Sequence, residues 1–326
     1  MCTIAYHASH EQFSPAHLLQ LVIQAQAAGF GAIHSSDHFY PWSERQGHSG
    51  FSLSWLGAAM QATTLPFSVI CAPGPRYHPA VLAQAAATLA ELFPRRFSLE
   101  LGSGEALNEN ITGAPWPPKQ QRNERLRQAA QMMQRLLAGE EITEQGHFNA
   151  VQARLYSLPA EPPALFGAAI TAATAAWCGQ WAAGLLTTAG DPAEVQEKVD
   201  AFRQGGGEGK PVYLQFAFSF HPDHAVALHS AHDQWRSNLV STGDLADFSH
   251  PRQFDEASAN ISPAQVAEKL PIICTTQDLF RQVDALAATG ANRVILHNVN
   301  RHQELFIQQV QGHLHRTRLK VGLESF

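Results

Sequence analysis

Eight short apolar runs, each followed by a helix-like stretch, limit what this chain can fold into. The runs are Thr3–His7, Ala32–Ser36, Pro66–Ala72, Arg96–Leu101, Ala164–Ala168, Leu185–Thr188, Val212–Phe220 and Arg293–His297. Helical patterning fills the intervals. Ser14 caps Pro15–Ala28 with Gly29 past its end, and Val81, Leu82, Ala85, Ala86, Leu89 and Leu92 recur at helical spacing in His78–Phe93. Alternation of this kind calls for parallel strands with helices outside, and eight such units close on themselves. The expected fold is an α/β (β/α)8 TIM barrel with loop insertions, with residues 1–326 forming one domain of natural size for it. A doubly wound open sheet fits less well, because the turn after the first run, Ala8-Ser9-His10-Glu11, lacks the glycines of a nucleotide-binding start. Ser241–Pro263, rich in Ser, Asp, Asn and Pro, reads as a long loop insertion, and Gly146–Tyr156 as an excursion outside the barrel.

Charge and composition exclude several functions. A formal net charge of −6 offers no basic face for nucleic acid or an anionic membrane. No window reaches the ~18 apolar residues of a membrane span, and no targeting pattern opens the chain. A soluble, cytoplasmic protein is expected. Cys2, Cys71, Cys178 and Cys274 are scattered without pairing or ligand spacing, as in reduced thiols. His221, His224, His229 and His232 follow no ligand pattern, so no metal is expected. Gly102-Ser103-Gly104 is half of a dinucleotide fingerprint, and it does not fit the Gly-x-Ser-x-Gly elbow of a hydrolase.

Candidate chemistry sits where strands end. The run Phe97–Leu101 stops at Gly102-Ser103-Gly104 and then presents Glu105, Asn108 and Glu109; Ala32–Ser36 stops at Asp37-His38. In a parallel barrel these polar ends share the C-terminal face, where catalysis occurs. His38 suits proton transfer near neutral pH, and Glu105 suits it if its neighbours raise its pKa. The same residues also suit a surface turn and a helix N-terminus that favours acids. Trp42 and Trp116, in proline-flanked loops, offer either ligand platforms or packing. Arg76, at the start of a helix, offers an anion site or a bridge to a neighbouring loop.

At Ser36-Asp37-His38-Phe39-Tyr40-Pro41-Trp42, Arg76-Tyr77-His78-Pro79-Ala80 and Gly102-Ser103-Gly104-Glu105-Ala106-Leu107-Asn108-Glu109 the chain resembles the bacterial luciferase-like flavin oxidoreductase superfamily. Within it, the chain is most similar to dehydrogenases dependent on coenzyme F-420 (F420) that act on glucose 6-phosphate. The likeness continues through Gly113–Pro117, Ala153–Tyr156 and Ile295–His297. It implies an eight-stranded α/β barrel, catalytic roles for His38, Glu105 and Trp42, and cofactor contacts at Asp37 and Asn108. It also implies a strained bulge, often a non-proline cis peptide, at Val69-Ile70. The loop expected to wrap the cofactor tail reads Ala168-Ala169-Ile170-Thr171-Ala172, without glycine, which favours FMN over F420. A lysine expected at the sugar phosphate is replaced by Asp191, leaving Lys269 and Arg293 as substrate-binding candidates, so glucose 6-phosphate is not the expected substrate. The resemblance implies hydride transfer between a small organic substrate and the cofactor, in a homodimer. Two alternatives stay open: an FMN-dependent monooxygenase supplied by a flavin reductase, and a flavin-binding protein without catalysis.

Overall fold

The computed structural model, which describes residues 2–323, closes eight parallel strands into a barrel. They are β1 (Thr3–Ala8), β2 (Ala32–Ser36), β3 (Phe67–Cys71), β4 (Phe97–Leu101), β5 (Ala164–Ala168), β6 (Leu185–Ala189), β7 (Val212–Phe220) and β8 (Arg293–Asn298). Each pairs with its neighbour in chain order, and β8 returns to β1 with Arg293 opposite Thr3. The expected (β/α)8 barrel is therefore the observed one.

Strand alternation divides the side chains between two environments. Tyr6, Ile33, Val69, Leu99 and Leu214 face outward into the main core beneath the helices. Ala5, Ala32, Leu186 and Ile295 face into the barrel. Outside, Pro15–Ala28 forms as its sequence dictates. Ser14 accepts a hydrogen bond from His17 N, proline occupies the first turn, and Gly29 ends the helix in the left-handed conformation at φ 100°. It buries Leu18, Leu21 and Val22 completely, contributing about 1.5–3 kcal/mol for each.

Two segments depart from expectation. Ser241–Pro263 is not an open loop: it supplies two short helices, Thr242–Asp247 and Pro251–Ala257, and the start of a third, Pro263–Ala267. Ser241, His250 and Ser262 cap them, and the last two open on proline. The bulge implied at Val69-Ile70 is absent, since β3 pairs in unbroken register with both neighbours and no cis peptide occurs among the described residues. The excursion after the fourth strand is an antiparallel hairpin, Ile142–Glu144 with Ala150–Ala153. Among the described residues no helix is long and apolar enough to cross a membrane.

Candidate active site

A cavity of about 1070 Å³ opens at the C-terminal ends of the strands. His7, Gln215 and His297 lie at its inner end, His38, Trp42 and Glu105 line it, and Leu245 and Ala246 of the short-helix segment cover it. His38 and Glu105, contributed by the ends of β2 and β4, thus meet in one chamber.

Asn108 joins them. Its Oδ1 accepts from Phe39 N at 2.8 Å, which fixes the amide so that Nδ2 donates to His38 Nδ1 at 3.2 Å and to Glu105 Oε2 at 3.3 Å. An amide NH2 can only donate, so Nδ1 of a neutral His38 is an acceptor and the ring proton sits on Nε2. Nε2 lies 3.6 Å from Glu11 Oε1. Burial works to raise the Glu11 pKa, but the facing His38 and the Ser36 hydroxyl, which donates at 2.7 Å, outweigh it and hold the carboxyl below its usual range. Glu105 behaves oppositely, with burial raising its pKa against the attraction of His38. One carboxyl is biased toward the charged form and the other toward the neutral form, a separation that suits acid–base work.

Trp42 stands 5.3 Å from the His38 ring and meets Phe254 edge to face at 5.3 Å. Its loop is tied to the covering helices by Asp255, which accepts from Ser43 Oγ at 2.6 Å, Glu44 N at 3.0 Å and Arg45 Nη1 at 2.5 Å. A second tie runs through Asp247, which accepts from Trp116 Nε1 at 3.1 Å and pairs with Arg122 at 3.6 Å. Trp116 is gripped from its other side by the Arg122 guanidinium, 4.6 Å from the ring centre.

Several expected site residues lie elsewhere. Asp37 is not among the residues lining the cavity: its buried carboxylate takes Arg76 at 2.6 Å, Ser52 Oγ at 2.5 Å and Tyr77 at 3.3 Å, and so anchors the loop that carries His38. Arg76 also faces Glu109 at 3.8 Å and so bridges two loops. Asn108 stands behind His38 instead of lining the chamber. Val69 points into the outer core, and only Ile70 of that pair reaches the cavity. Ala168, Ala169, Ile170 and Lys269 do line it. Arg293 does not, because it opens β8 four residues before His297 and lies against Tyr213 and Ser68 inside the barrel. Asp191 lines the cavity while capping Pro192–Phe202 through Ala193 N at 2.7 Å.

Glu11, His7 and His297 were not anticipated from the sequence. Glu11 lies in the turn after β1, where the polar run Ser9-His10-Glu11 was a readable signal at a strand's C-terminal end. His7 and His297 are inward positions of strands, which alternation alone could have flagged.

The family model for luciferase-like monooxygenases matches residues 2–293, and the chain belongs to that family. It is 32% identical over 320 residues to an F420-dependent glucose-6-phosphate dehydrogenase of Segniliparus rotundus, covering 94% of each chain. An enzyme of the same description from Mycobacterium tuberculosis is 30% identical over 324 residues, with 95% of this chain and 96% of that one covered. Among solved structures, an F420-dependent secondary alcohol dehydrogenase in complex with an F420-acetone adduct superposes with a TM-score of 0.89 at 25% identity, covering 96% of this chain and 98% of that one. The chain is an oxidoreductase.

Proposed function

We propose that this oxidoreductase transfers a hydride between a hydroxyl- or carbonyl-bearing small molecule and the deazaflavin F420. The observation that carries the reading is the His38–Asn108–Glu105 and His38–Glu11 constellation at one end of a large, covered chamber. The residues present suit a planar tricyclic ring with a phosphate-bearing tail. Ile70, Ala168, Ala169 and Leu186 give apolar walls, and Lys119 and Arg122 put cations in the same chamber. When bound, F420 supplies the carbon that gives or accepts the hydride.

The chain's own residues handle the proton. A substrate hydroxyl placed between His38 Nε2–H and Glu11 gives its proton to the Glu11 carboxylate of this pair as hydride leaves the carbon, while the imidazole N–H donates to the substrate oxygen. In the reverse direction the pair returns it. Glu105, biased toward its neutral form, is the second proton donor, and Trp42 presents an indole wall beside the imidazole. The covering helices exclude water from the exchange.

FMN is a second reading, favoured by the glycine-free loop Ala168–Ala172, where Ile170 lines the chamber. The substrate is proposed to be other than a sugar phosphate, since Asp191 sets a carboxylate on the wall. Absorption spectra and mass of the copurifying cofactor test the assignment. A deazaflavin band with reduction by secondary alcohols is expected, and an FMN spectrum with oxygen consumption coupled to product would replace it with the monooxygenase reading.

A further inference from the structure

The interior of a parallel eight-stranded barrel is ordinarily filled by branched apolar side chains. Here a polar column runs down it. From the cavity inward, Gln215 Nε2 lies 3.0 Å from His297 Nδ1, the His297 and His7 rings are 3.9 Å apart, and His7 Nδ1 meets His34 Nδ1 at 2.8 Å. His34 Nε2 then faces Glu100 Oε2 at 3.8 Å. Beyond Glu100 stand Ser68 and Arg293, the latter stacked on Tyr213. His34 and Glu100 are completely buried, and His34 Nε2 and both Glu100 oxygens lack a well-formed hydrogen bond. Buried polar groups left in that state are costly, and these two face each other across a narrow gap.

The Nδ1–Nδ1 contact carries a strict consequence. Two neutral imidazoles can share it only if one holds its proton on Nδ1 and the other on Nε2. If Glu100 is protonated, it donates to His34 Nε2, His34 donates through Nδ1 to His7, and His7 presents an Nε2–H to the cavity. If Glu100 is ionised, His34 keeps its proton on Nε2, His7 donates through Nδ1, and His7 presents a lone pair. The 3.8 Å gap is about an ångström beyond a hydrogen bond, within the swing of a carboxyl about its terminal torsion.

We propose that Glu100, His34 and His7 form an internal proton relay in which the proton on Glu100 decides whether His7 offers the cavity a donor or an acceptor. In one transfer the Glu100 O–H bond breaks and His34 Nε2–H forms; His34 Nδ1–H breaks and His7 Nδ1–H forms; His7 Nε2–H breaks and the proton passes to a group in the cavity. One proton moves in total, and no electrons change owner. Burial pushes the Glu100 carboxyl up to about 7 against the pull of Ser68 and Arg293, which favour the anion left behind. The imidazoles stay neutral: burial lowers His34 to about 3 and His297 to about 4, and holds His7 well below its usual range, with His297, His34, His10 and His38 adding repulsion there. The relay rests on the proposed function only for the use made of the delivered proton.

The test needs no turnover. Nitrogen chemical shifts of 15N-histidine-labelled protein report which ring nitrogen carries the proton, with the His7 signal assigned by its loss in His7→Gln. In the wild-type protein His7 and His34 are expected to exchange tautomers together in one transition near neutral pH. In Glu100→Gln, whose amide does not titrate, both are expected to hold one tautomer at every pH. In His34→Leu the His7 transition is expected to vanish, a readout that stands even if Glu100→Gln does not fold. A His7 tautomer constant with pH in the wild-type protein, or one that still changes in Glu100→Gln or His34→Leu, overturns the relay. Loss of the relay signal in a protein that still reduces F420 leaves the proposed function standing.

Discussion

Asn108 holds His38 in one tautomer: with its oxygen pinned by Phe39 N, its NH2 group faces Nδ1 at 3.2 Å and leaves the imidazole proton on Nε2, toward Glu11. The substitution Asn108→Leu removes that bias. We expect kcat to fall by about tenfold or more, within the ~10²–10⁴ that a positioned acid–base group supplies. KM should change little, and the pH profile of kcat should broaden. Steady-state rates across pH check this, and an unchanged profile would show that Asn108 does not set the proton.

The loop bearing Trp42 depends on Asp255. Asp255→Ala strips the acceptor from Ser43, Glu44 and Arg45 together, at an expected loss of about 1–3 kcal/mol. Trp42 should lose its fixed place against Phe254, seen as altered tryptophan emission and a raised KM. Thermal melting and substrate titration provide the measurement.

Arg76 and Asp37 form a buried ion pair. Arg76→Ala leaves the Asp37 carboxylate without its main partner and removes one of the two guanidiniums that act on Glu109, Arg125 being the other, so a loss of about 3–5 kcal/mol is expected. The double substitution with Asp37→Asn should recover part of it, which a double-mutant cycle by denaturant titration measures.

Asp191→Lys exchanges an anion for a cation on the cavity wall. Binding of a sugar phosphate should tighten relative to the wild-type protein, read by calorimetry. Loss of the helix cap should cost about 1 kcal/mol of stability in the same variant. A variant no better at binding phosphate would place the carboxylate outside the substrate's reach.

Acid should unfold the protein early. Burial holds His10 and His297 near 4, so between pH 6.5 and about 4 the unfolded chain binds protons that the folded one refuses. Stability contributed by each neutral imidazole is complete above about pH 6.5 and falls as pH drops, by about 1.4 kcal/mol per unit for each group. Glu100 works in the other direction: with its folded value near 7, the folded state binds the extra proton between about 4.5 and 7, and that contribution is lost as pH rises. Denaturant midpoints measured from mildly alkaline to mildly acidic pH should fall toward acid in the wild-type protein and fall more steeply in Glu100→Gln.

Much of the architecture could be read before any coordinates. Ser14-Pro15 and Gly29 bracketed the first helix at its observed ends, and Ala32–Ser36, Ala164–Ala168 and Val212–Phe220 are strands with the expected bounds, because caps and runs of buried apolar residues are local signals. His38, Glu105 and Trp42 came together because strand ends share a face. What escaped depended on direction. Arg293 is a cation in the right strand but at the wrong end of it, and Asp37 is not among the residues lining the chamber, as its neighbour His38 is. The segment Ser241–Pro263 looked like a loop because its helices are short, although His250-Pro251 and Ser262-Pro263 carried start signals.

The two carboxylates that fasten the covering helices differ in their exposure to solvent: Asp247 is 66% exposed and Asp255 21%. Mobile ions weaken the first attachment more than the second. Added salt should therefore loosen the attachment at Asp247 before the one at Asp255, and the two ends of the enclosure answer differently to ionic strength.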